Sequence, residues 1–116
     1  MTQKGKILKE FNEAFATSDI NFILDNVTDD ISWIAVGDFS VKGKEEFSKA
    51  LEKMKSEKAY QIKINNIITH GDSAAVDGTM KMPAGDKTYA FCDIYKFSGF
   101  KNPKVKELTS YVIEVN

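Results

Sequence analysis

Asp93 stands in the run Tyr89-Ala90-Phe91-Cys92-Asp93-Ile94-Tyr95-Lys96-Phe97, a carboxylate set inside an apolar, aromatic stretch. Side chains on a strand alternate between faces with period two, so Asp93 shares its face with Phe91, Tyr95 and Phe97. Among aromatics a carboxylate loses solvation, which raises its pKa unless a cation or hydrogen-bond donors compensate. Asp93 is therefore expected as a neutral hydrogen-bond donor or as an ionised group with a partner. Either state suits the polar point of a ligand pocket, and perturbed acids gather at such places. The plainer reading is an edge-strand Asp bonded to nearby backbone.

The remaining residue types that carry chemistry are sparse. Cys92 is the single cysteine and has no disulfide partner within the chain. Its neighbours Phe91 and Ile94 favour a small buried hydrophobe over a reactive thiol. His70, the only histidine, precedes Gly71-Asp72 and has no Cys, His or Glu at a metal-ligand spacing, so it is expected at an exposed strand end. Tyr60, Tyr89, Tyr95 and Tyr111 each offer a hydroxyl; Tyr95 is the expected pocket donor because it lies on the Asp93 face. Lys44-Glu45-Glu46 follows Gly43 without a glycine-rich phosphate cradle. No metal site and no cofactor are expected.

Composition narrows the partners. Sixteen Lys stand against 17 acidic residues, for a net charge of −1, which gives no electrostatic case for nucleic acid or an anionic membrane. None of the basic residues is Arg, so the planar fork that grips phosphates and carboxylates is missing and a polyanionic ligand is disfavoured. With 116 residues the chain is read as one domain over 1–116. Polar residues interrupt every apolar run, so no membrane span or leader is expected and the reading is cytoplasmic.

The elements that must position Asp93 follow from periodicity. Ile7, Leu8, Phe11, Ala14 and Phe15 recur at helical intervals, predicting an amphipathic helix from about Thr2 to Thr17. Ser18-Asp19 caps a short second helix carrying Ile20, Phe22, Ile23 and Val27, which Thr28-Asp29-Asp30 ends. Ile31–Val36 reads as a strand, broken at Gly37-Asp38-Phe39 before an extended Ser40-Val41. From Lys44 a third helix places Phe47, Ala50, Leu51 and Met54 on one side and a solvated charged face on the other. Alternating segments at Tyr60–His70, Ala74–Met82, Lys87–Phe97 and Val105–Val115 follow. Gly71-Asp72-Ser73, Pro83-Ala84-Gly85-Asp86 and Gly99–Pro103 separate them. Helices before strands with short hairpins predict an α+β fold with a meandering antiparallel sheet.

That order resembles the cone-shaped fold of the nuclear transport factor 2-like superfamily, in which a curved, mostly antiparallel sheet wraps around N-terminal helices. Asp29-Asp30-Ile31-Ser32-Trp33, Gly37 and Val41–Phe47 look like its first strand, hairpin and entry to the third helix. Phe91–Gly99 followed by Val105–Tyr111 looks like its last hairpin. The likeness is closest to the SnoaL-like polyketide cyclase and ketosteroid isomerase-like branches. It implies an apolar cavity lined by Phe11, Phe15, Trp33, Phe91 and Tyr95, with Asp93 at the position of the isomerase's neutral acid, an enzyme that is a standard example of such a group. The isomerase's oxyanion tyrosine corresponds here to Phe11, and its general base falls at or beside Ala35. Asp38 is the nearest remaining carboxylate in sequence, in a hairpin where Asp commonly bonds its own backbone. Three readings stay open: a binder of a small apolar or aromatic molecule, an isomerase- or cyclase-type enzyme with Asp93 as acid or oxyanion stabiliser, and an interaction module. In the last, Ile62, Ile64 and alternate residues of the final strand form the outer face of the sheet. A homodimer is compatible with all three.

Overall fold

The computed structural model describes residues 2–55, 59–83, 87–99 and 101–115. The parts of the turns at 84–86 and at Phe100 therefore lie outside the described residues. Helix α1 spans Gln3–Thr17, with the Thr2 hydroxyl accepting from the Gly5 amide at 3.0 Å and Ser18 closing it in the left-handed region at φ 57°. Leu8, Phe11 and Ala14 form its buried stripe, and Asn12 is buried among them. Asp19 caps α2, Ile20–Asp25, by accepting from the Phe22 amide at 3.3 Å. Helix α3, Lys44–Met54, starts after Gly43, whose φ of 91° is strained for any residue with a Cβ. Glu45 and Glu46 in its first turn and Lys53 in its last complement the helix dipole, while Phe47 and Leu51 are its buried residues.

The strands are β1 Val27–Ala35, β2 Phe39–Lys42, β3 Gln61–His70, β4 Ser73–Lys81, β5 Thr88–Ser98 and β6 Lys104–Glu114. They form one sheet in the order β2-β1-β6-β5-β4-β3. Every pairing is antiparallel except β1 with β6, which is parallel. Helix α1 packs on β3, and α3 packs on β1 and β2. Leu8, Phe11, Ile23, Val27, Ile31, Phe47, Val76, Phe97 and Val105 are fully or almost fully withdrawn from solvent and make the core between helices and sheet. This is the α+β architecture expected, a curved and mostly antiparallel sheet around N-terminal helices.

Two expectations fail locally. Thr28-Asp29-Asp30 does not break the chain: β1 begins at Val27 and runs through it. Pairing of Val27 with Val105, and the Val105 amide donating to the Asn26 carbonyl at 2.9 Å, hold this segment extended. The polar side chains are satisfied locally, Thr28 donating to Asp30 at 2.7 Å and Lys44 lying 3.5 Å from Asp29. Tertiary pairing thus overrides turn preference.

The second failure concerns Ile62 and Ile64, which belong to the inner face and pack on the core rather than lying on the outer one. The register of β3 against β4 shifts between Ile64 and Asn66. One extra residue there exchanges the two faces, so Ile62, Ile64 and Ile67 point inward while Ile68 emerges, 63% exposed. The outer face is completed by Ile34, Ile94, Tyr111, Ile113 and Val115, all substantially exposed.

Candidate functional site

Asp93 is fixed by β5, between β4 and β6, with Val76 and Ser110 as its cross-strand neighbours. It lines a cavity of about 390 Å³ enclosed by α1, the end of α3 and the inner face of the sheet. Phe15, Trp33, Phe39, Tyr60, Tyr89 and Phe91 supply aromatic walls, and Met54, Met80 and Met82 add flexible apolar ones. Asn12, Ala35, Asp38, Ile62, Pro83, Leu108, Ser110 and Val112 complete the lining. Larger surface grooves run along β2 and α3, about 670 Å³, and between α1 and β3, about 520 Å³. The carboxyl that burial pushes upward, Asp93, lines the smaller cavity, so the chemistry points there.

A chain of hydrogen bonds runs beneath the cavity floor. Asn12 Nδ2 donates to the Leu8 carbonyl at 2.9 Å and to the Tyr95 hydroxyl at 3.1 Å, and Tyr95 donates to Asp93 Oδ2 at 3.2 Å. From the other side Trp33 Nε1 donates to Ser110 Oγ at 3.1 Å, and Ser110 lies directly across the strand from Asp93. Burial pushes the Asp93 carboxyl up to about 6, against the opposing pull of the Ser110 and Tyr95 hydroxyls. Burial, then the Asp93 charge, pushes the Tyr60 phenol up to about 12 and holds Tyr95 well above its ordinary value. Near neutrality both protonation states of Asp93 are therefore within reach, while the tyrosines remain neutral.

The residues singled out from the sequence divide into two layers. Asp93, Phe15, Trp33 and Phe91 line the cavity. Phe11 and Tyr95 sit behind its wall, 0% and 1% exposed, with their rings edge to face at 6.1 Å. Phe11 also packs on Phe15 at 5.3 Å, and Phe15 on Trp33 at 5.7 Å, so the second layer holds the first in place. Asp38 lines the cavity next to Ala35, its amide donating to the Ala35 carbonyl at 2.9 Å. His70 ends β3 in an exposed position. Burial, then Asp93, raises the Cys92 thiol above its ordinary value, which works against a thiolate nucleophile. No group of three or more His, Cys, Asp or Glu that could hold a metal occurs among the described residues.

Sequence reasoning passed over Asn12 and Ser110. Asn12 does lie in the helical stripe Leu8, Phe11, Asn12, Phe15, and a lone amide there signals a buried partner. Ser110 falls on the inward set Leu108, Ser110, Val112 of the last strand, the only polar side chain of the three.

A model of the SnoaL-like domain matches residues 8–107. The chain belongs to the SnoaL-like domain family. Among solved structures, an NTF2-like protein of unknown function from Cytophaga hutchinsonii ATCC 33406 is 25% identical. Its alignment covers 93% of this chain and 97% of the other, with a TM-score of 0.69. A candidate SnoaL-like polyketide cyclase from Shewanella putrefaciens CN-32 superposes with a TM-score of 0.84 at 14% identity, covering 97% and 80%. An LEH-like epoxide hydrolase of M. tuberculosis gives 0.76 at 15% identity, covering 93% and 80%. The last two likenesses concern the fold. No curated protein sequence matches the chain significantly. No described helix is long and apolar enough to cross a membrane.

Proposed function

We propose that this SnoaL-like domain is a small-molecule-binding protein whose cavity takes a small, mostly apolar or aromatic ligand oriented by Asp93. The observation that carries this reading is a raised-pKa carboxyl at the polar end of an aromatic-walled cavity, held there by the Tyr95 hydroxyl as donor. A few polar groups converging in an apolar hollow is the usual form of a ligand site. The location is read as cytoplasmic from the sequence, and the assembly as a homodimer formed through the outer face of the sheet.

A thermal-shift screen of wild type and Asp93→Asn against small apolar ketones, phenols and amines tests the binding reading, since a ligand selective for the native state raises apparent stability. Stabilisation of wild type and not of the variant is the expected result. If no compound shifts either protein, the reading is lost.

The enzyme reading is favoured by one specific observation: a second carboxylate, Asp38, lines the same cavity. Asp93 would then protonate a developing oxyanion while Asp38 accepts a proton, the division of labour that unequal carboxyl environments permit. On that reading Asp93→Asn lowers turnover by about 10²-fold or more with little change in affinity; a parallel loss of affinity and turnover would leave Asp93 a binding group.

A further inference from the structure

The hydrogen bonds around Asp93 have a direction, and it restricts what a ligand can offer. The Leu8 carbonyl only accepts, so the Asn12 amide must turn Nδ2 toward it, and the same nitrogen then donates to Tyr95 Oη. With its oxygen occupied as acceptor, Tyr95 has Asp93 as the target of its proton. The Trp33 indole nitrogen only donates, so Ser110 Oγ, the cross-strand neighbour of Asp93, accepts from it and keeps its own proton to give. The Tyr95 contact to Asp93 is thus a donor. It complements a carboxylate.

Three further features bear on ligand charge. No described lining residue is Lys or His, whereas Asp38 adds a second carboxylate. Six aromatic residues line the walls. A ring face attracts cations through its quadrupole, most strongly when the pair is desolvated. The apolar bulk of the lining excludes a ligand that is charged along its length.

We infer, resting on the small-molecule reading above, that the cavity selects a lipophilic amine, whose ammonium N–H donates to the Asp93 carboxylate while its hydrocarbon body lies against the aromatic walls. A matched anion would meet two carboxylates and no described cation, and a neutral isostere would lose the charge-assisted bond and the ring attraction.

The chain's single tryptophan, Trp33, lines the cavity and reports occupancy by its fluorescence. Phenethylamine, phenethyl alcohol and phenylacetate share one aromatic body and differ in charge. Titrated at about pH 7.5, phenethylamine is expected to bind at least ~10-fold tighter than the alcohol, and phenylacetate more weakly than either. In Asp93→Asn the amine preference should collapse to within about threefold. A second measurement is independent of that variant's folding. In wild type the amine affinity should rise as pH passes upward through about 6, because ionised Asp93 is the binding form, while the alcohol affinity changes less. The titratable groups facing Asp93 are Tyr60, Tyr95 and, across the cavity, Asp38 and Tyr89; burial holds the Tyr60 and Tyr95 phenols neutral throughout this range. Equal binding of alcohol and amine, or an amine affinity that is flat or falling with pH, overturns the charge selection and leaves the small-molecule reading standing. Absence of any response to all three compounds, in fluorescence and in thermal shift, overturns both.

Discussion

The carboxyl of Asp93 is held in a place where ionisation works against folding. Its native pKa lies near 6 against an ordinary value of 3.8, so between those limits the native state binds the proton more tightly than the unfolded chain. Stability from this group is therefore present on the acid side and is lost as pH rises through about 6, a loss of roughly 2–3 kcal/mol. Asp93→Asn cannot titrate. Its urea-unfolding free energy, taken relative to wild type, should rise by roughly 2 kcal/mol from about pH 4 to about pH 7; a constant difference across that range would show that burial does not shift Asp93. Asp93 itself was legible in the sequence, because a strand's period of two makes one acid among aromatics conspicuous. Its supports were not. Asn12 reaches Tyr95 across 83 residues of chain and Trp33 reaches Ser110 across 77, pairings that depend on sheet order rather than on any local pattern.

Among the elements, β3 carries the feature least visible beforehand. Its strand character follows from alternation, but the extra residue between Ile64 and Asn66 exchanges its faces, and nothing in the isoleucine spacing distinguishes Ile64 inward from Ile68 outward. The bulge is matched by Gly78 on β4, which pairs with Ile64 and Phe91. A Cβ at Gly78 would drive into the Lys63 carbonyl oxygen and lie 3.0 Å from its carbon and 3.1 Å from Ile64 Cα, all of them backbone atoms that cannot rotate away. Gly78→Ala should therefore cost about 1–3 kcal/mol in chemical denaturation and loosen β3, seen as faster amide exchange there than in β5. Unchanged stability would mean that β3 moves aside freely. Helices α1 and α3 were read closely from periodicity, whereas β1 runs four residues earlier than its composition implies, through Thr28-Asp29-Asp30, because Val105 holds it.

At the scale of the whole molecule, one sheet face is covered by helices and the other leaves Ile113 66% and Val115 55% exposed, with Ile68 and Tyr111 on the same side. Contiguous apolar exposure of this kind is uncommon on monomers and marks association surfaces. In the proposed homodimer the patch packs against its own copy, since a two-fold axis places the same residues opposite one another. Sedimentation velocity at micromolar concentration should give a dimer for wild type and a monomer for Ile113→Asp, while near-ultraviolet dichroism of the variant stays native; a monomeric wild type would sink the pairing.

The sheet order has a consequence for how the chain is made. The hairpin of β1 and β2 is joined to the rest of the sheet only through β6, by parallel pairing between the first strand and the last. During synthesis the first strand thus waits for β6 before its ladder can close, and Trp33, Ala35 and Phe39 cannot meet the β5 wall until then. Folding should be limited by this long-range closure, and a nascent chain stopped before β6 should be protease-sensitive and dependent on holding factors at the ribosome exit.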